Sequence, residues 1–130
     1  MAVNFNNPLF YTYCYGSVEI KKLRKGDSTM WLSLEDSAGV HSDAIYHGCV
    51  YWRLEHAGLH LSLVLRVTAS ELLANPDSPT IRALQKNASD VPALLREWEA
   101  EGLSFFIHLG KEPDEEFLVV AESLEYRETY

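Results

Sequence analysis

Apolar and polar residues alternate most regularly between Leu59 and Thr68. The apolar members of this stretch recur at every second position: Leu59, Leu61, Leu63, Leu65 and Val67. A helix repeats every 3.6 residues and cannot place residues spaced by two on one face, so the alternation predicts a β-strand. A second run alternates upstream, at Val50, Trp52 and Leu54. With Ala57–Gly58 between the two runs, the pattern predicts a β-hairpin from Cys49 to Thr68.

The loop of this hairpin decides which side chains share a face. A loop at Ala57–Gly58, or a longer one from His56 to Leu59, gives the large apolar residues one face, whereas a three-residue loop divides them. The expected core face is Val50, Trp52, Leu54, Leu61, Leu63 and Leu65. The opposite face mixes polar, ionisable and apolar residues: His47, Cys49, Tyr51, Arg53, Glu55, His60, Ser62, Val64, Arg66 and Thr68.

Other strand signals precede this hairpin. The Tyr- and Phe-rich stretch from Phe10 to Tyr15 predicts a strand. A second hairpin is predicted from Ser17–Leu23 and Ser28–Glu35. In that hairpin a three-residue loop sets Ile20 opposite Leu32 and Val18 opposite Leu34. The stretch from Asp36 to Asp43 is rich in small and polar residues, which predicts a loop.

Three helices are predicted after residue 68. A capping-box pattern, Thr68 to Glu71, begins the first, and Ser78-Pro79 begins the second. The third starts at Ser89 or Asp90 and ends at Gly102. Its apolar stripe has the spacing of a core-facing helix and consists of Val91, Leu94, Leu95 and Trp98.

The chain closes with two stretches that are apolar on both faces, Ser104–Leu109 and Glu116–Glu122, which is typical of interior strands. The remaining residues, to Tyr130, predict an acidic tail anchored by Leu124 and Tyr126. Strands, then helices, then strands indicate an α+β fold. We predict a single domain over residues 1–130, with a loosely ordered arm at 1–9. Its mostly antiparallel sheet of five to seven strands carries two or three helices on one face.

Composition places the chain among globular proteins, with 47% hydrophobic and 23% charged residues. No apolar run approaches the roughly 20 residues that span a bilayer, and the N-terminus lacks a secretory pattern. Two cysteines, Cys14 and Cys49, fit a reducing compartment as free thiols, with a bridge between strands as the alternative. These observations predict a cytoplasmic protein.

Net charge is distributed unevenly along the chain. The first 68 residues hold six Lys/Arg and six Asp/Glu, whereas residues 69–130 hold five and thirteen, so the second half carries the whole charge of −8. Such a field disfavours nucleic acids and anionic membranes and favours a basic protein partner. The acidic residues expected to face that partner are Glu97, Glu101, Asp114, Glu115 and Glu116.

Candidate binding residues lie in two stretches. Those on the polar face of the central hairpin are Tyr51, Arg53, Glu55, His60 and Arg66, and those in the predicted 36–43 loop are His41 and Asp43. Glu55 opposite His60 has the chemistry of an acid–base pair but lacks a nucleophile or metal beside it. Neither a His-x-x-x-His helix nor paired Cys-x-x-Cys motifs occur. We therefore expect no metal, cofactor or catalytic residue, and an enzyme is the less favoured class.

In size and acidity the chain resembles, in bulk character, small proteins that neutralise a toxin or defence enzyme, such as toxin immunity proteins and phage-borne anti-defence proteins. Three hypotheses follow. The first is an interaction or inhibitor protein that binds a basic partner. The second is a small-ligand binder or enzyme that uses the polar hairpin face. The third is a structural or assembly subunit, for which a homo-oligomer stays an open alternative.

Overall fold

The structure, a computed structural model, describes residues 8–11, 18–26, 28–36, 39–53, 60–61, 63–110 and 115–129. Within them the strands are β1 (Pro8–Tyr11), β2 (Val18–Lys25), β3 (Thr29–Asp36), β4 (His41–His47), β5 (Tyr51–Trp52), β6 (His60–Leu61), β7 (Leu63–Val67), β8 (Ser104–Leu109), β9 (Glu116–Ala121) and β10 (Ser123–Thr129). The helices are α1 (Ala69–Leu73), α2 (Pro79–Gln85) and α3 (Val91–Ala100).

The strands form two antiparallel sheets. Sheet A has the order β1-β7-β8-β9-β5, and sheet B has the order β10-β4-β3-β2-β6. Every strand pairing is antiparallel. The predicted α+β class, with antiparallel strands and three helices, is confirmed. The strands divide between two sheets instead of forming one.

Two apolar cores define three layers. One core joins residues of β2, β3 and β4 to residues of β7, β8 and β9, so it fills the space between the sheets. The other joins the opposite face of sheet A to all three helices. In β8, Phe106 belongs to the first core while Phe105 and Ile107 belong to the second. Sheet A is therefore covered on both faces, which confirms the prediction of interior strands at the end of the chain.

The predicted hairpin from Cys49 to Thr68 is wrong. β5 pairs with β9, and β7 pairs with β1 and β8, so two strands separate the predicted partners. The short strand β6 pairs with β2 in the other sheet. The alternating pattern led to a wrong prediction because β7 is buried on both faces: Val64 and Leu65 are each 0% exposed. Regular leucines therefore did not separate a core face from a solvent face.

The predicted core face of that hairpin is also not one surface. Val50 is 51% exposed, Trp52 packs partly against the inter-sheet core, and Leu65 packs towards the helices. Leu54 and the predicted turn lie outside the described residues. A strand at the sheet edge and a strand in the sheet interior have different neighbours, and parity alone cannot assign those neighbours.

The hairpin of β2 and β3 is confirmed, with a different register. Ile20 pairs with Leu34 and Val18 with Asp36, so the predicted pairs of Ile20 with Leu32 and of Val18 with Leu34 are wrong. Lys25 pairs with Met30, which leaves four residues and not the predicted three inside the last pair of the hairpin, and a bulge lies between Ile20 and Lys22. The bulge adds one residue to β2, which shifts the pairing by one position along the strand. Ile20, Leu32 and Leu34 are all buried in the inter-sheet core, as their shared parity predicted.

Local capping signals correctly placed the three helices. Thr68 and Glu71 form the capping box of α1, Ser78 caps α2 before Pro79, and Asp90 caps α3. Along α3, Val91 and Leu95 are buried, and Leu94 and Trp98 pack against the core beneath the helices. No helix in the described parts of the chain is long and apolar enough to cross a membrane.

Two stretches predicted to be irregular are strands. Seven residues, Ser123–Thr129, pair continuously with β4 as β10, and His41 to Asp43 begin β4 instead of ending a loop. Both strands have one face on the inter-sheet core, where Ala44, Tyr46 and Leu124 pack. Apart from the buried Ile45, the residues on their other face are polar, and these polar residues hid the strands in the sequence.

The chain crosses between the sheets at Gly48. The Val50 N–H donates to the Val120 carbonyl in sheet A, while the Glu122 N–H donates to the His47 carbonyl in sheet B. Gly48 has φ +62°, and a Cβ there would lie 2.5 Å from Cδ of Glu122. Backbone conformation and this close approach both favour glycine at the crossing.

Candidate functional site

Sheet B has a second face that points away from sheet A, where Arg24 and His41 are exposed but Ile45 is only 2% exposed. Ser42, Ala44 and Tyr46 of β4 are buried towards sheet A. The alternate residues of β4 and its neighbours therefore point away from the core. We call this surface the outer face; its members are Arg24, Thr29, Trp31, Ser33, Glu35, His41, Asp43, Ile45, His47, Ser123, Glu125 and Arg127. The three helices pack on sheet A, on the far side of the molecule.

Trp31 lies at the centre of the outer face. Its register partners are Arg24 on β2 and Ile45 on β4. The guanidinium carbon of Arg24 is 4.4 Å from the centroid of the Trp31 ring, a cation–π geometry. The indole N–H is buried and has no hydrogen-bond partner among the residues the structure describes. An aromatic ring, an arginine and an unpaired donor thus occupy the middle of a polar surface.

Charged groups line the edge of the outer face beside Trp31. The His47 Nε2 lies 3.0 Å from Glu125 Oε1, and the Nε–H of Arg127 donates to Glu125 Oε2. The hydrogen bond from His47, and then that from Arg127, lower the pKa of Glu125. Glu125 therefore stays ionised between a histidine and an arginine, and the three groups form a solvent-exposed ionic strip.

The first set of predicted binding residues does not form one surface. By register Tyr51 shares a face of sheet A with Val120 and the helix-side core, whereas Arg66 is exposed on the other face. Tyr51 contacts Trp98, with ring centroids 5.6 Å apart. Burial is the main cause that raises the pKa of Tyr51. The hairpin that would have gathered these residues does not exist.

The other members of that set have separate surroundings. Arg53 donates through Nη2 to the Glu116 carbonyl, and its buried Nε has no partner within the described ranges. Glu55 lies outside the described residues, and only the backbone of His60 is described. The predicted Glu55–His60 pairing therefore stays a prediction.

The second set of predicted residues does come together. His41 is exposed and Asp43 half-buried, both on the outer face, where Asp43 is the register partner of Arg127 and Ser33. Their neighbours Arg24, Trp31, Glu125 and Arg127 were not predicted. The signal that marks Trp31 is the polar or aromatic character of the odd positions from 29 to 35; no comparable signal marks Arg24, Glu125 or Arg127.

The predicted acidic residues are divided in the structure. Glu97 and Glu101 are exposed on α3, Glu115 is half-buried, and Asp114 lies outside the described residues. The exposure expected for Glu116 is wrong, because this residue is only 7% exposed. Its carboxylate accepts hydrogen bonds from the hydroxyl and the N–H of Thr80 at the start of α2. Glu116 thus joins α2 to sheet A and does not face outward.

A polar pair lies inside the inter-sheet core. The Tyr46 hydroxyl hydrogen-bonds to His108 Nε2, and His108 Nδ1 lies 3.3 Å from the Phe117 carbonyl. Nδ1 therefore carries the proton and Nε2 accepts from Tyr46. Burial lowers the pKa of His108 to about 3. A fully buried, neutral histidine with both nitrogens bonded has a structural role here.

Cys49 borders this core as a free thiol. Its Sγ donates to the Tyr51 carbonyl at 3.5 Å, and burial is the main cause that raises its pKa. The free-thiol prediction is confirmed for Cys49, and the alternative of a bridge to it is excluded. Cys14 lies outside the described residues.

The described part of the chain contains no group of three or more His, Cys, Asp or Glu arranged to hold a metal. Comparison with known proteins gives no family model, no curated protein and no solved structure that matches this chain. What the outer face can bind is therefore inferred from its own side chains.

Proposed function

We propose that this chain is a protein-binding domain, of the inhibitor type, which contacts its partner through the outer face of sheet B. The observation that carries the proposal is Trp31 under Arg24, beside the buried Ile45, at the centre of a sheet face whose other members are polar. Tryptophan and arginine are the residues most enriched in binding hot spots, and a polar rim around an aromatic centre is common interface anatomy.

The unpaired indole N–H strengthens this proposal. A buried donor without an acceptor costs about 1–3 kcal/mol. The Trp31 N–H is such a donor among the described residues. A carbonyl or carboxylate of a bound partner that reaches the indole edge would satisfy it, so binding would remove a cost that the free domain carries.

Charge supports a basic partner in the cytoplasm. The net charge of −8 is concentrated in residues 69–130, and its exposed members include Glu97 and Glu101 on α3. This field accelerates encounter with a basic protein, while the outer face, which carries both signs, selects the final contact.

Affinity capture on the immobilised chain, from the cells that encode it, tests the proposal. We expect a bound protein whose retention falls at least tenfold with Trp31→Ala and with Arg24→Ala, because hot-spot truncations cost 2 kcal/mol or more. Arg96→Ala is the matched control, since Arg96 is also exposed but lies on α3. Retention that survives both outer-face substitutions would show that the contact lies elsewhere.

Two further measurements separate the parts of the proposal. The dissociation constant should rise with salt, because a basic partner is attracted through exposed charges. A constant that is the same at low and high salt contradicts the basic partner. If capture were lost only in the Glu97→Gln, Glu101→Gln double variant, the contact surface would be assigned to these acidic residues and not to the outer face.

A further inference from the structure

The strand β10 forms one edge of sheet B. Among the described residues it pairs with β4 alone, through seven consecutive residues without a register shift. The backbone groups on its other side therefore point away from the sheet. Natural edge strands are usually protected by proline, by charged side chains, by a bulge or by short length. The charged residues of β10 are of both signs: Glu125, Arg127 and Glu128. The sequence Ser-Leu-Glu-Tyr-Arg-Glu-Thr contains neither proline nor lysine, and β10 is long and regular.

Charges on β10 are complementary to those of an antiparallel copy of the same strand. Pairing about a two-fold axis at Tyr126 sets Glu125 opposite Arg127 of the partner subunit, and Ser123 opposite Thr129 of the partner subunit. The symmetry repeats each contact, so the pairing contains two Glu–Arg contacts. Opposite charges at facing positions stabilise antiparallel strands.

The other registers are less favourable. A shift by two residues still sets side chains of the same face opposite each other, but it moves the two-fold axis to Glu125 or to Arg127. That residue then lies opposite its own copy, so two like charges face each other. A shift by a single residue places outward residues opposite inward ones, which burial of the inner face opposes. Only the axis at Tyr126 matches both faces and charges around the centre of the strand.

We infer that β10 pairs with β10 of a second copy of this chain, which joins the two B sheets into one sheet of ten strands. Glu125 accepts hydrogen bonds from Arg127 and His47 of its own chain, and the pairing adds Arg127 of the partner subunit opposite this carboxylate. The two outer faces become continuous in the dimer. This inference does not depend on the proposed partner binding.

Sedimentation equilibrium of the full chain over a wide concentration range tests the pairing. The wild type should be a dimer. Arg127→Glu and Glu125→Arg should each weaken the dimer roughly tenfold or more, because each sets like charges at two symmetry-related contacts. The double variant E125R/R127E should restore it. Glu97→Arg is the matched control, since it makes the same reversal on α3, away from the edge.

A wild type that stays monomeric at every concentration overturns the inference, as does a dimer that both single reversals leave intact. Unfolding curves of each variant separate lost pairing from lost folding. Trp31→Ala should leave the dimer intact, so failure of the pairing and failure of the proposed partner contact have different readouts.

A disulfide placed on the axis gives a second, independent test. Tyr126→Cys in a Cys14→Ser, Cys49→Ser background places two thiols at facing positions, where Cα atoms are about 4.5–5.5 Å apart. Oxidation should link two chains covalently. Leu124→Cys in the same background should not form this link, because residue 124 faces residue 128 of the second copy. Equal cross-linking of both variants contradicts the register.

Discussion

Sheets A and B are both antiparallel and five-stranded, yet they differ in what covers them. Sheet A lies between sheet B and the helices, and strands such as β8 and β9 are buried on both faces. In sheet B the residues alternate between the inter-sheet core and the outer face, where most are exposed or half-buried and Ile45 is buried. His108 inside sheet A has both ring nitrogens hydrogen-bonded, whereas the Trp31 indole N–H on sheet B has no partner among the described residues.

The comparison predicts that substitutions in the two regions differ in kind. Changes at the covered faces of sheet A should reduce stability, because they create cavities or unpaired groups in a packed interior. Changes on the outer face of sheet B should leave stability nearly intact and act on binding.

The largest effect is expected for Phe106→Ala. Phe106 is 2% exposed and meets Tyr46 edge-on across the two sheets, with ring centroids 5.5 Å apart. Its removal should lower the free energy of unfolding by about 3–5 kcal/mol, measured by urea denaturation. Glu35→Ala on the outer face is the control, with a change below about 0.5 kcal/mol. Similar losses at both positions would contradict the contrast between the sheets.

The second prediction concerns pH and His108. Its folded pKa of about 3 is below the ordinary value of 6.5, so the unfolded chain binds a proton that the folded chain does not. The stability that His108 contributes is present above pH 6.5 and is lost as the pH falls towards 3. Between pH 6.5 and 5 the loss should be about 2 kcal/mol.

Urea denaturation of the wild type and of His108→Gln over this pH range measures the His108 contribution. The glutamine keeps an acceptor for Tyr46 and removes the titration, so its stability should fall less steeply. Parallel pH profiles would contradict a neutral, buried His108.

A smaller effect is expected at Gly48, where the chain passes from one sheet to the other. Gly48→Ala should destabilise the fold by about 1–2 kcal/mol, because the left-handed backbone and the contact with Glu122 both disfavour a side chain. Gly39→Ala isolates the backbone part, since φ is +83° there and a Cβ would have nothing within 4 Å. Equal losses at the two glycines would show that Glu122 simply moves aside.

The smallest effect on stability is expected on the outer face. Arg24→Ala removes a cation–π contact at an exposed position, worth about 0.5–1 kcal/mol at most. Thermal unfolding should therefore change little, while the proposed partner contact weakens at least tenfold. A large drop in stability would instead assign Arg24 a structural role.

Sequence predicted local features well and distant pairings poorly. The helix caps at Thr68, Ser78 and Asp90 depend on residues within four positions of one another, and all three were recognised. The pairing of β7 with β8 depends on residues about forty positions apart. Alternating leucines can pair with many different strands, and the run at Val50 was chosen only because it is the nearest in sequence.

The candidate site was partly predictable for the same reason. His41 and Asp43 were recognised from their chemistry, although a loop was expected where β4 begins. Trp31 comes from β3, whereas Glu125 and Arg127 come from β10, more than ninety positions later, and only the register of sheet B brings the three onto one face. The residue types alone identified His41 and Asp43, but the pairing of strands in sheet B determines which residues share the face.

The order of strands in sheet A also has a consequence for how the chain reaches its fold. β5 and β7 belong to the same sheet, yet the two strands that lie between them, β8 and β9, follow all three helices in the sequence. A chain growing from its N-terminus therefore holds β7 with β1 but without β8 until residues 104–109 are made. Such long-range pairing slows folding and prolongs exposure of apolar strands. We expect refolding to be slower than for a helical protein of this size, and the nascent chain to depend on chaperones.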